Sequence, residues 1–279
     1  MSFTRKIYYV VFFIILVSCL CCNASCTKPA VELFDTSQKQ FVLKPQYDSI
    51  IPLNLFTTWS TKELPPMMKK NYEELKNTNP EFNHFLYDDA DCREFIEKYY
   101  EKEVLDAFDK LIPGAYKADL WRCCVLYIKG GIYIDIKLKC TNGFKFIALT
   151  EKEYFVRDRW GLGVYNALMV CKAGNPILLQ LIKQIVINTQ TNFYGVCHLH
   201  PTGPYLFRQF IGQDAINKFE LFNSTPRKTT KNAKNVTVTF GDTIIITSYD
   251  EYRDEQRMFQ SVQHYSVLWE QRKIYKTDE

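Results

Sequence analysis

Asp119 and Arg122 stand three residues apart in Ala118-Asp119-Leu120-Trp121-Arg122, inside an apolar pattern that reads as a helix. That spacing puts both side chains on one helix face. The carboxylate can accept hydrogen bonds from hydroxyls, and the guanidinium can fork onto hydroxyls or phosphate. Taken alone, the pair also reads as a surface ion pair worth about 0.2–0.5 kcal/mol. Gly130-Gly131 then close the helix. They serve either as a cap and tight turn or as a place where backbone approaches a ligand closely. Asp135 ends the apolar run Ile132-Tyr133-Ile134. The end of a buried strand is where an α/β fold presents its ligand contacts. In Asp135-Ile136-Lys137 a cation follows that carboxylate at the second position.

The surrounding elements must bring these groups together. Ile51 to Trp59 is apolar and β-prone, and reads as a buried first strand. Pro65-Pro66 opens a helix to about residue 76, and Phe82 to Tyr87 forms a second strand. Asp89 or Asp91 caps one helix over 91–111, and Pro113-Gly114 separate it from another over 115–129. Further strands are expected at 132–136, 154–157, 167–171, 236–240 and 243–247, with helices at 176–190 and 203–211. Strands alternating with helices predict an α/β fold with a mostly parallel sheet covered on both faces. No Gly-x-Gly-x-x-Gly, Walker lysine loop or Gly-x-Ser-x-Gly elbow is present, so nicotinamide, P-loop and hydrolase chemistry are disfavoured. His198-Leu199-His200 offers a metal pair if it lies on a strand, or a structural or acceptor-side loop otherwise.

The N-terminus makes a separate statement. No charged residue falls between Lys6 and Lys28, and residues 7–26 are long enough to enter a membrane. Two readings stand: a cleaved secretory signal, or an uncleaved signal-anchor with its basic flank in the cytosol. Residues 27–50 read as a stem and 51–279 as one folded domain. The net charge of +4 is too small and dispersed to predict a nucleic-acid partner. Seven cysteines follow Cys22, beginning with Cys26, leaving room for one or two disulfides. Asn23, Asn223 and Asn235 open N-glycosylation tripeptides. The basic stretch Arg227 to Lys234 reads as a solvated loop.

Together, Ala118-Asp119-x-x-Arg122 and Gly130-Gly131-Ile132-Tyr133-x-Asp135 resemble the sugar-nucleotide-binding region of the DXD-containing glycosyltransferases. The pattern is similar to that of the family of fungal Golgi initiating α-1,6-mannosyltransferases and inositolphosphorylceramide mannosyltransferases. The resemblance extends through Asn79-Pro80, Asn166 to Met169, Gly174-Asn175-Pro176, Thr202-Gly203-Pro204 and His264 to Trp269. It implies a GT-A-type fold with a Rossmann-like sheet, a GDP- or UDP-hexose donor with mannose favoured, and a glycan or glycolipid acceptor. It also implies retention of anomeric configuration, a divalent ion such as Mn²⁺, and a single-pass type II protein of the Golgi or endoplasmic reticulum, or a secreted one after signal cleavage. Carried over, Trp59 stacks on the base, and Asp119 and Arg122 bind the donor sugar. Gly130, Gly131 and Tyr133 belong to the same donor region. Asp135 opens the DXD motif, and His264 and Trp269 approach the metal and diphosphate. The departure is Lys137, a lysine where the family places a second metal-binding carboxylate. Three outcomes follow: the lysine neutralises the diphosphate itself, the metal binds through Asp135 and His264, or catalysis is lost. The last leaves a sugar-nucleotide- or glycan-binding protein on the same fold.

Overall fold

The computed structural model describes residues 39–159, 161, 163–224, 236–260 and 262–277. The predicted membrane segment 7–26, the first part of the stem, and the basic stretch 227–234 lie outside the described residues. Among the described residues no helix is long and apolar enough to cross a membrane.

The chain begins with strand β1 (Asn54–Thr58) and helix α1 (Pro66–Thr78). Pro65 leaves α1 without a side-chain cap of its own. Glu255, far along the chain, does that work: its carboxylate accepts the Met67 and Met68 amides at 2.7 and 2.9 Å. Strand β2 (Asn83–Tyr87) and helix α2 (Asp89–Tyr99) follow. Asp88, not Asp89 or Asp91, is the cap, with Asp91 reaching back to its amide in a reciprocal box. The cap must be the last extended residue, and Asp88 holds that conformation. The single helix expected over 91–111 is two, α2 and α3 (Lys102–Lys110). Tyr100 turns extended between them and donates its hydroxyl to the Cys124 carbonyl at 2.9 Å.

Helix α4 (Gly114–Lys129) runs through the middle of the protein and is buried at every residue from Asp119 to Leu126. A helix buried on all sides carries apolar residues on all its faces, with Asp119 and Arg122 as the charged exceptions within that stretch. It ends on Gly130, and β3 (Gly131–Ile134) leaves in the reverse direction. The remaining elements are β4 (Leu138–Cys140), β5 (Tyr154–Arg157), β6 (Val164–Cys171), α5 (Pro176–Gln190), α6 (Pro204–Ile211), α7 (Gln213–Asn217), β7 (Leu221–Ser224), β8 (Thr237–Phe240), β9 (Thr243–Ser248), α8 (Tyr252–Phe259) and α9 (Tyr265–Glu270).

The strands form one sheet in the order β2-β1-β3-β6-β5-β7-β8-β9-β4. The expectation of a mostly parallel sheet is corrected: only β1/β2, β1/β3 and β5/β7 pair in parallel, and the other five pairings are antiparallel. The reason lies in the connections. Helices carry the chain between β1, β2 and β3, whereas β8 and β9 are joined by Gly241-Asp242, with Gly241 at φ 56°. So short a link can only reverse the strand.

The sheet separates two cores. On β3, Tyr133 faces the helices with Trp121 and Leu120, while Ile132 and Ile134 face the opposite side with Phe144 and Phe146. Residues 39–50, assigned from sequence to the stem, run along that second core, where Phe41 packs on Phe144 and Phe240. The cysteines described are all unpaired, so no disulfide forms among them. Burial pushes the Cys123 and Cys171 thiols far above their ordinary value. Asn223 is only 6% exposed on β7, so the folded chain cannot present it for glycosylation.

Gly130 and Gly131 were candidates for ligand approach, and the fold gives them another task. A β-carbon on Gly131 (φ +124°) would lie 2.5 Å from the Asn54 carbonyl oxygen, and one on Gly130 would lie 2.7 Å from the Ala173 nitrogen. Both glycines therefore pack backbone on backbone. Gly131→Ala is expected to cost about 1–3 kcal/mol of stability. Thermal unfolding should show a lower melting temperature, with nucleotide affinity of the folded fraction unchanged.

Candidate active site

The carboxyl ends of β1 and β3 and the start of β6 open into one cleft of about 610 Å³. Asp119 and Arg122 form its floor, and neither is the surface pair that spacing alone allowed: they are 7% and 5% exposed. Asp119 accepts hydrogen bonds from the Asn166 amide and the Thr202 hydroxyl, both at 2.8 Å, with Arg122 at 3.4 Å. Burial pushes its carboxyl above the ordinary value, against the pull of Arg122, Thr202 and Asn166. Arg122 is fixed on every side. It donates to the Ala118 and Asn166 carbonyls at 3.0 and 2.6 Å, and its guanidinium lies 4.4 Å from the centre of the Tyr133 ring.

Asp135 is the centre of the site. Its backbone amide is held by the Ala167 carbonyl at 2.9 Å, which places it beside the first residues of β6. One carboxylate oxygen accepts from the Tyr133 hydroxyl at 2.9 Å and faces Arg122 at 3.5 Å. The other accepts from the Lys137 ammonium at 2.6 Å. Burial works against its charge, but Lys137 and Arg122 outweigh burial and hold the carboxyl below its ordinary value. Lys137 is itself held in place. Asn71 of α1 donates to the carbonyls on either side of it, at 2.9 and 3.1 Å, and the Tyr249 amide donates to its own carbonyl at 3.0 Å. The ammonium lies between the rings of Tyr165 and Tyr252, at 5.7 and 6.0 Å from their centres.

The structure brings together Trp59, Asp119, Arg122, Tyr133, Asp135, Lys137 and His264, all of which line the cleft. Gly130, Gly131 and Trp269 are not among the described residues that line it. The glycines stand at the opposite end of β3 from Asp135, about 13 Å away at the usual rise per residue. Trp269 donates its indole N–H to the Tyr194 carbonyl at 2.7 Å and packs against the helix-side core. His264 caps α9, its Nδ1 paired with the Ser266 hydroxyl at 2.8 Å. His200 is structural: Nδ1 accepts the Val196 amide and Nε2 meets Gln209 at 2.8 Å. His198 faces the cleft, and burial lowers the basicity of both His198 and His264.

A divalent ion, implied by the family resemblance, does not fit these donors. Magnesium and manganese take several hard oxygen ligands. Asp135 already meets an ammonium, and the residue that would supply the second carboxylate is that ammonium's own, Lys137.

Several residues escaped the sequence reading. Asn166 and Thr202 lay in noted motifs, yet nothing in the chain order pairs them with Asp119. Gly203 sits so close that a β-carbon would lie 3.2 Å from the Asp119 oxygen. Tyr165 and Tyr252 flank Lys137, and Arg253 also lines the cleft. Asp89, read only as a helix cap, also lines the cleft, and burial raises its carboxyl.

Residues 65–155 match the family described as "Glycosyltransferase sugar-binding region containing DXD motif", a stretch that includes Asp119, Arg122, Asp135 and Lys137. The chain is 28% identical over 162 residues to inositol phosphoceramide mannosyltransferase 3 of Schizosaccharomyces pombe, covering 58% of this chain and 44% of that protein. It is 28% identical over 189 residues to the initiation-specific alpha-1,6-mannosyltransferase of Candida albicans, covering 56% and 48%. It is 27% identical over 172 residues to the uncharacterized glycosyltransferase L373 of Acanthamoeba polyphaga mimivirus, covering 58% and 65%. The matches thus span about half the length of these relatives. Among solved structures, the chain is similar to the PaToxG glycosyltransferase, with a TM-score of 0.46 at 20% identity over 59% of this chain and 69% of that one. The buried Asp119–Arg122 pair and the Asp135 strand end lie inside residues 65–155, the stretch that matches the glycosyltransferase sugar-binding region containing the DXD motif.

Proposed function

We propose that this chain transfers a hexose from a nucleoside-diphosphate sugar to a glycan or glycolipid hydroxyl, with retention, on a GT-A-type fold. GDP-mannose is the favoured donor, in keeping with the mannosyltransferases it resembles. The observation that carries the reading is the buried Asp119–Arg122 pair joined to Asp135 at the floor of one cleft. A buried ion pair is expensive to keep unless its polar atoms serve a ligand or a register. The cleft volume falls within the range of sites for ligands of nucleotide-sugar size.

In this reading Trp59 stacks on the nucleobase and Asp89 faces its polar edge. Asp119 and Arg122 orient the sugar hydroxyls, and Asp135 meets the sugar or ribose while holding the cations around it. His198 and Tyr265 form the acceptor side, where a neutral imidazole can accept a hydrogen bond from the incoming hydroxyl. Fixing donor and acceptor in one cleft converts their encounter into an intramolecular event. The whole protein is proposed to reside in a secretory-pathway membrane through residues 7–26, with this domain lumenal.

The full chain, purified in detergent, should release nucleotide from one donor when screened against GDP- and UDP-hexoses. Release from a single donor, at least tenfold lower in Asp119→Asn, supports the transferase. Nucleotide binding without release from any donor favours the inactive binding protein. No binding of GDP or UDP would sink both.

A further inference from the structure

We infer that in this site the Lys137 ammonium, and not a divalent cation, meets the donor diphosphate, an inference that rests on the glycosyltransferase reading. The first ground is the donor set. Both Asp135 oxygens are engaged, one by Lys137 at 2.6 Å, the other by the Tyr133 hydroxyl at 2.9 Å and Arg122 at 3.5 Å. A metal seated on Asp135 would have to displace the ammonium and then sit beside it, cation against cation.

The second ground is charge. Four carboxylates and five Lys or Arg side chains line the cleft among the described residues. The walls are therefore slightly positive before any ligand enters, the reverse of what gathers a divalent cation and what suits a diphosphate anion. The third ground is rigidity. Asn71 and Tyr249 fix the backbone around Lys137, and Tyr165 and Tyr252 flank its ammonium. The side chain keeps 16% exposure, so the charge is anchored yet open to the cleft. The ion pair with Asp135 outweighs burial and keeps the amine charged. A preorganised charge stabilises a developing anion without reorganising in the transition state.

The step is balanced without a metal. The bond from the anomeric carbon to the phosphate oxygen breaks, and its electron pair leaves with the diphosphate. The acceptor oxygen bonds to that carbon, and its proton passes to the departing diphosphate. Lys137 faces the oxygen on which the negative charge grows.

The test uses the full chain with GDP, UDP and the donor that the screen identifies. Nucleotide affinity and donor turnover in EDTA should stay within twofold of the values in Mn²⁺, and manganese paramagnetic resonance should show no ion bound in the nucleotide complex. Lys137→Met, which keeps the side-chain volume, should lose at least 100-fold in chelator-resistant turnover. Lys137→Asp should lose the same and regain turnover with added Mn²⁺. Wild-type binding or turnover that vanishes in EDTA and returns with Mn²⁺ overturns the inference and leaves the transferase standing. Lys137→Met turning over like wild type in EDTA also overturns it. No binding of either nucleotide in any buffer overturns the donor reading, and this inference with it.

Discussion

Arg122→Met is expected to destabilise the chain by about 3–5 kcal/mol, because it strands two carboxylates beside one another in a buried floor. Arg122 faces Asp119 at 3.4 Å and Asp135 at 3.5 Å, and also satisfies the carbonyls of Ala118 and Asn166. Urea unfolding should show the loss as a lower midpoint with an unchanged slope. The sign of the pH dependence follows from Asp119. Its folded-state value is already raised by burial and is held down by Arg122. Without Arg122 it rises further, so the folded state binds a proton that the unfolded state does not. The variant should therefore gain stability as pH falls below the folded-state value toward the ordinary carboxylate value, and lose that gain as pH rises back through the folded-state value. The double variant Asp119→Leu/Arg122→Met removes both charges and should recover much of the lost stability while donor turnover stays undetectable. Recovery of turnover along with stability would show that the pair serves only the fold.

Asp135→Ala should lower donor turnover by about 10²–10³-fold, the range seen when one preorganised charge or donor is removed from an active site. The stability cost should be smaller than at Arg122, because the Asp135 side chain is 21% exposed and opens on the cleft. The loss should appear in kcat more than in nucleotide affinity, since Trp59, proposed to stack on the base, is untouched. Asp135→Asn keeps the hydrogen bond from Tyr133 but withdraws the charge from Lys137, and should recover little. Turnover within threefold of wild type in Asp135→Ala would remove Asp135 from the mechanism.

The contrast between these variants reflects how the site is built. Arg122 is a buried keystone between carboxylates, and its loss is felt first in folding. Asp135 is a strand-end group that opens on the cleft, and its loss should be felt first in chemistry. Glu255 shows the same division at a distance. It caps α1 and receives the Tyr249 hydroxyl at 2.9 Å, so the helix that carries Tyr252 and Arg253 to the cleft is pinned to the first α/β unit.

Local sequence determined the parts of this protein that depend on neighbours along the chain. Helix α5 begins at Pro176 behind its Asn175 cap, and α4 ends at Gly130, because caps and breakers act within a turn. The spacing of Asp119 and Arg122, and the placing of Asp135 at a strand end, could be read the same way, and so could the family resemblance they carry. Tertiary structure decided what depends on distant partners. Asn166 and Thr202 reach Asp119 across 47 and 83 residues, and Glu255 reaches Met67 across 188. The antiparallel half of the sheet depends on which strands return beside which, and short strands such as β4 and β7 carry too little periodicity to announce themselves. The glycines at 130 and 131 were legible as special, but only the packing of Asn54 and Ala173 against them showed that their task is to seat β3. Lys137 was visible as a departure from the motif. Its ammonium against Asp135 is a three-dimensional fact, set by a turn whose carbonyls are held by Asn71 from another helix.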